Sequence, residues 1–369
     1  MWTIWKEEFY KIRSRKIIWL GVFLLLAFVT VRLYEECSQY TTVIDGKCYQ
    51  GKEAIRKDKE LTRRYAGELT KETIHRIYDE YGFFYYEPDG RTAANNYLSR
   101  LITEKFTNFM QTDGDNPEEI HFREGKDWEM NAAYLLKNEV RFDYVYGWND
   151  FAEMYILALL ALFVILLLGL SPSFAEEYQL RTADLLRTTR RGRAGGIWMK
   201  ILAGLSFAIL LTCAVCAYLW GIYLMVYGAQ GLDASAILLN FATPYGYYPE
   251  SALGFLLYLT FLGILGAILL GSVVLGISAL CKSPFPALAF SLAGYLFPLL
   301  WMNVLMPMWP FGMTLSRYIT HFMTSMPVYL PVSTGFGFPA GQMAVHLCIA
   351  LSVAACGMCV GYYRFRTTA

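Results

Sequence analysis

Residues 152–200 read AEMYILALLALFVILLLGLSPSFAEEYQLRTADLLRTTRRGRAGGIWMK. No charged residue falls between Met154 and Leu170, and a run of this kind suffices to cross a bilayer core, which takes about 20 apolar residues in a helix. At Ser171 and Pro172 it gives way to a segment with an acidic start (Glu176, Glu177), an apolar turn (Leu180, Ala183, Leu185, Leu186) and a basic end. Lys200 then opens a second apolar run. Two membrane spans joined by a basic loop are the local plan, and reading outward in both directions finds it repeated.

Apolar runs occur at residues 17–34, 152–170, 200–226, 253–280, 284–303 and 343–363, which makes six spans. Composition agrees: of 369 residues 56% are hydrophobic and 17% charged, and the mean hydropathy is +0.33, more apolar side chain than a soluble chain can bury. The net charge of +1 hides an asymmetry, because residues 35–150 hold 16 Lys/Arg against 23 Asp/Glu, a net of −7, while the remainder sums to +8. The cations flanking the spans are Lys6, Lys11, Arg13, Arg15 and Lys16 before the first, Arg181 to Lys200 between the second and third, Lys282, and Arg364 with Arg366 at the end. By the positive-inside rule those segments and both termini are cytoplasmic and residues 35–150 lie outside. The expected fold class is an all-α polytopic membrane protein, with six transmembrane helices and a mostly helical extracytoplasmic domain inserted between the first and second. The charged N-terminus is that of a signal peptide, but no small-residue cleavage site follows at Val31, Arg32, Leu33 and Tyr34, so the first span is expected to remain uncleaved.

Within residues 35–150, the stretch KEAIRKDKELTRRYAGELTKETIHRIYDEYG has helical spacing, interrupted at Gly67 and restarted by Thr70 as an N-cap. Turn signals at Glu87-Pro88-Asp89-Gly90 and Asp113-Gly114-Asp115-Asn116-Pro117 set off a helix around Ala93 to Met110 and a second helical stretch beyond. The loops 227–252 and 304–342 carry a single Lys/Arg, Arg317, among many Tyr, Trp, Met and Pro residues. The sequence MPMWPFGMTLSRYITHFMTSMPVYLP is too broken by proline for a regular span, and 304–342 is expected to be an interfacial or re-entrant hairpin. At the N-terminus Trp2, Trp5, Phe9 and Ile12 share a helical face, so residues 1–16 read as a cytoplasmic amphipathic helix in the interface, or as no more than anchors and orientation signals for the first span.

The loop 171–199 reads as an amphipathic helix with charges matched to its dipole, able to dock a partner; a solvated basic face that only fixes topology is the alternative. It also resembles a segment of the ABC transporter type 2 permeases, in which Glu and Tyr precede a Thr, a Leu pair, a small-residue turn with Arg, and a Lys opening the next span. Here these are Glu177, Tyr178, Thr182, Leu185, Leu186, Thr188, Arg191 or Arg193, and Lys200. Two departures are evident: Arg181 stands where the family usually has Gly, and the usual Pro near the turn is replaced around Thr189. The resemblance extends over the whole chain. It implies that 171–199 couples the spans to a separate cytosolic ATPase through Glu176, Glu177, Tyr178, Arg181, Thr182, Asp184, Leu185, Leu186, Arg187, Arg190, Arg191 and Arg193. It further implies a second permease copy, as a homodimer or with a similar permease, a bacterial cytoplasmic membrane and, since the family consists mostly of exporters, export.

The chain itself lacks the chemistry of ATP hydrolysis. No Gly-x-x-x-x-Gly-Lys-[Ser/Thr] occurs, the Gly-Lys pairs at Gly46, Gly51 and Gly125 being followed by Cys, Glu and Asp. His75, His121, His321 and His346 are scattered, with no His-Glu-x-x-His or Gly-x-Ser-x-Gly. No catalytic, cofactor-binding or metal residue is therefore assigned, and ATP with Mg belongs on the partner ATPase. The span cores are almost free of charge, which disfavours an ion-coupled carrier. Gly263, Ala267, Gly271, Gly357 and Gly361 permit close helix packing. Cys37 and Cys48 are spaced for a disulfide, bridged and free states both being open, while the Cys-x-x-Cys pairs 213/216 and 356/359 read as structural thiols. The competing functional class is a non-transporting sensor or scaffold whose outer domain binds a ligand or a cell-envelope partner.

Overall fold

A computed structural model describes the chain except for residues 87–91, 94–95, 110–111, 113–115, 124–138, 184–187, 189–194, 243–248, 309–312, 333–339 and 368–369. Two compact units result, one formed by Met1–Phe28, Met154–Trp220 and Leu257–Ala369, the other by Val29–Glu153 and Gly221–Leu256. Among the described residues six helices are long and apolar enough to cross a membrane: α2 (Lys16–Gln39), α6 (Tyr146–Leu170), α8 (Ile197–Tyr227), α9 (Ala252–Leu280), α10 (Pro284–Leu300, with its continuation to Leu305) and α12 (Ala340–Thr367). Between and around them run α1 (Trp2–Arg13), the soluble helices α3 (Lys52–Thr62), α4 (Lys71–Tyr81) and α5 (Tyr97–Phe106), the short α7 (Pro172–Gln179), and α11 (Met313–Thr324). The most apolar windows of α6, α8 and α9 are 67%, 56% and 50% buried within the chain, whereas those of α2, α10 and α12 are 28%, 22% and 22% buried and leave most of their surface to lipid or another subunit.

In the first unit the small residues bring helices together. A methyl group on Gly357 would lie 2.6 Å from the Ser272 carbonyl oxygen, and one on Gly276 2.8 Å from the Gly357 carbonyl oxygen, so α9 and α12 touch backbone to backbone. Gly263 leaves room for the Tyr155 hydroxyl, which donates to the Leu259 carbonyl at 3.1 Å. Gly271 faces Leu205, Ala267 is fully buried, and Gly361 lies beside Leu275 and Gly276. Pro298 inside α10 removes one backbone donor, and the helix continues as a π turn over Trp301–Leu305.

The second unit departs from an all-helical reading. Thr41–Ile44 (β1) and Lys47–Gln50 (β2) pair antiparallel around Asp45 and Gly46, both at positive φ, the conformation of a tight hairpin. Gly67–Glu68 (β3) pairs with Arg141–Phe142 (β6), and Tyr85–Tyr86 (β4) with Thr92–Ala93 (β5). These strands are two to four residues long, too short for alternation to register. Ala93 is thus held in a strand, and α5 begins only after Asn96, whose side chain caps the Ser99 amide at 2.9 Å. Thr70 caps α4 through the Thr73 amide at 3.2 Å. The second helical stretch and most of the turn signals flanking α5 lie outside the described residues.

At the core of this unit Asp58 is fully buried and accepts from the Tyr40 hydroxyl (2.6 Å), the Thr42 hydroxyl (2.8 Å) and the Tyr97 amide (3.3 Å). Burial pushes its carboxyl above the ordinary aspartate value, and the three hydrogen bonds restrain that rise only in part. Cys37 and Cys48 are both free thiols in this structure: Cys37 is buried 3.7 Å from the Tyr227 hydroxyl, while Cys48 is exposed on β2.

Candidate functional site

The segment after α6 turns sharply and folds back as α7. Pro172 takes the first helical position, where its missing N–H is no loss. The Phe174 and Ala175 amides, which have no helical partner, donate to the Ser278 hydroxyl of α9 at 3.0 and 3.1 Å, and Ser278 in turn donates to the Ser171 carbonyl at 2.6 Å. Phe174 and Ala183 join Ile197, Ile201, Leu275, Ala279 and Phe365 in a buried cluster against which Tyr178 packs. The Phe174 and Tyr178 rings lie 5.0 and 5.4 Å from Phe365. The segment is thus seated on α8, α9 and α12.

The expectation of one amphipathic helix with its acids at the start is corrected here. α7 ends at Gln179, and Arg181 adopts a left-handed conformation, φ 55°, at the position where the resembling family carries Gly. Glu176 and Glu177 therefore occupy the last turn of α7, where the helix dipole disfavours carboxylates, and neighbouring cations compensate. Glu177 is buried and pairs with Lys200, itself buried. The Lys200 ammonium also reaches Glu8 of α1 at 3.3 Å and the Ser173 carbonyl at 3.0 Å, and lies 5.2 Å from the Phe174 ring centre. Lys11 bridges Glu8 (2.7 Å) and Glu177 (3.7 Å), and Arg15 pairs with Glu176 at 2.7 Å while donating to the Gly169 carbonyl. Burial works against the Lys11 charge, but Glu8 and Glu177 outweigh it and raise its pKa above the ordinary lysine value. For Arg15 burial prevails over Glu176 and lowers the guanidinium from its usual value.

These groups line a cleft of about 770 Å³ that is also bordered by Ile12, Leu180 and Thr182. α1 is fastened beside it: Trp2, Trp5 and Phe9 stack in series at 4.6 and 5.1 Å, Phe9 meets Phe207 of α8 edge-on at 5.8 Å, and Ile12 is buried. Of the coupling residues expected from sequence, Glu176, Glu177 and Thr182 line the cleft, Tyr178 packs beneath it, and Arg181 is exposed at the bend. Asp184, Leu185, Leu186, Arg187, Arg190, Arg191 and Arg193 lie outside the described residues. Sequence reasoning missed Glu8 and Ser278 entirely and treated Lys11 and Arg15 as topology signals. The one available signal was the Glu7–Glu8 pair among the cations of the first helix.

Six helices long and apolar enough to cross a membrane, the second and third joined through an ion-paired segment, define a polytopic membrane protein. The family model described as "ABC-2 family transporter protein" matches residues 2–368, and the chain belongs to that family, whose members are membrane components of ATP-binding-cassette transporters and imply an ATPase partner. No curated protein and no solved structure matches it.

Proposed function

We propose that the chain is the permease subunit of an exporter, that two copies form the translocation path, and that a separate cytosolic ATPase carrying ATP and Mg drives it from the cleft between α1 and α7. The observation that carries this reading is the mechanical continuity of the segment after α6. Glu177–Lys200 and the Ser278 cap join it to α8 and α9, so a push on α7 acts on three spans at once. An exposed peptide hinge would absorb the same push without moving the helices. In this reading Leu185 and Leu186 fill a groove of the ATPase, and Arg190, Arg191 and Arg193 pair with its acids. The N-terminus, the C-terminus and the cleft face the cytoplasm of a bacterial cell, as the basic flanks of the spans favour.

The test is affinity purification of the tagged chain in mild detergent with a vanadate-sensitive ATPase assay on the eluate. A stoichiometric Walker-motif ATPase is expected, and Leu185→Asp with Leu186→Asp should separate ATP hydrolysis from transport. An eluate of this chain alone, without ATPase activity, would move the assignment to a sensor or scaffold acting through the second unit.

A further inference from the structure

The side of α1 opposite the cleft alternates aromatic and cationic residues. Trp2, Lys6, Tyr10 and Arg13, spaced four, four and three residues apart, share one side of the helix. All four are exposed, Trp2 by 64% and Tyr10 by 66%. The Lys6 ammonium lies 5.7 Å from the Trp2 ring centre, and among the described residues neither Lys6 nor Arg13 joins an ion pair. Glu7 falls outside this stripe, on the side of Lys11. The neighbours of α1 fix its depth. The Trp19 indole of α2 donates to the Arg13 carbonyl at 2.7 Å, which latches the end of α1 where the exposed apolar surface of α2 begins with Ile17, Leu20 and Phe23. On its other flank Phe9 packs on Phe207, whose ring lies 4.0 Å from where a Cβ on Gly169 would stand, at the end of α6. α1 is thus level with the ends of two spans, the zone in which headgroups surround a membrane protein.

We propose that this face of α1 binds anionic phospholipid, with Lys6 and Arg13 on the headgroup phosphates and the Trp2 and Tyr10 rings at the boundary between headgroup and acyl chain. Both halves of the stripe point to that occupant. Amphipathic aromatic rings settle at the lipid–water boundary, and a long cationic side chain reaches from there to phosphate while its methylenes stay on apolar surface. Choline lipids carry a phosphate as well, but their quaternary ammonium cancels its charge. A net negative lipid is favoured by roughly fivefold for each cation that reaches it. The opposite side of α1 carries Glu8 and Lys11 into the ion pairs with Glu177 and Lys200, so lipid held on the outer face braces that network. The inference requires no ATPase, and it stands or falls apart from the transport reading.

The full chain in mild detergent, offered equal amounts of phosphatidylglycerol and phosphatidylcholine of matched acyl chains, is followed by native mass spectrometry and by thermal unfolding. Retention of phosphatidylglycerol should exceed that of phosphatidylcholine by roughly tenfold or more, and only the anionic lipid should raise the unfolding midpoint. Lys6→Gln and Arg13→Gln should each lower the preference roughly fivefold while leaving the midpoint in lipid-free detergent unchanged. The charge-keeping pair Lys6→Arg with Arg13→Lys should retain the preference, as should Lys282→Gln, at an exposed cation elsewhere in the first unit. Equal retention of the two lipids by the unmodified chain would overturn the proposal. So would a preference that the charge-keeping pair abolishes, or one that Lys282→Gln lowers as much as the α1 substitutions do.

Discussion

Lys200 shows how one side chain holds a site together. It is buried, and with Lys11 it is shared between Glu177 and Glu8. Lys200→Met leaves the buried Glu177 with only Lys11, 3.7 Å away, and should lower stability by about 3 kcal/mol, read as a drop in the thermal unfolding midpoint in detergent. Adding Glu177→Leu should recover most of the loss, since a buried ion pair and an apolar pair of similar size differ little. Arg181 at φ 55° sets a second expectation: Arg181→Gly should hold or raise stability by up to about 1 kcal/mol, and Arg181→Val should lower it by about 1–2 kcal/mol, in the same assay. Asp58 adds a pH dependence. Its folded pKa lies above the ordinary 3.8, so the folded state holds the proton more tightly. The resulting stabilisation is full below that value and is lost as pH rises through the folded pKa. Asp58→Asn should cost about 1–3 kcal/mol through unmet hydrogen bonds and should flatten the fall in unfolding midpoint across that window.

At the scale of elements, the close approach of α9 and α12 at Gly276 and Gly357 is a contact between backbones, which have no side-chain rotamer to yield. Gly357→Val should therefore cost at least about 1–3 kcal/mol, whereas Gly221→Val, where nothing lies within 4 Å, should cost well under that; unfolding midpoints of the two variants decide. The apolar periodicity of the spans was readable because transfer of a long run into lipid is a sum over residues. The break of α7 at Leu180 and Arg181 was not, since Arg favours helix and only seating on Phe365 and Ser278 bends the chain there. The short strands of the second unit were likewise invisible, because a pair such as Gly67–Glu68 with Arg141–Phe142 is made by residues far apart in the chain.

For the whole molecule, the proposed topology puts the second unit outside the cell, and Cys48, exposed on β2, reports on it. In a variant keeping only this cysteine, a membrane-impermeant maleimide added to intact cells should label the protein; labelling only after permeabilisation would reverse the orientation. The low burial of α2, α10 and α12 within one chain leaves apolar surface for lipid or for the proposed second copy.

By itself the amino-acid sequence determined the six spans, the charge asymmetry across them, the Thr70 cap and the Glu177–Tyr178 signature after the second span. Each depends on local properties that add up along a few turns of chain. Only tertiary structure decided that Glu8 and Lys11 of the first helix meet Glu177 and Lys200, that Ser278 caps α7, and that Gly276 opposes Gly357. A charge or a glycine acquires those roles from whatever the fold brings within a few ångströms of it, and separations of a hundred residues and more leave no trace in the neighbouring sequence.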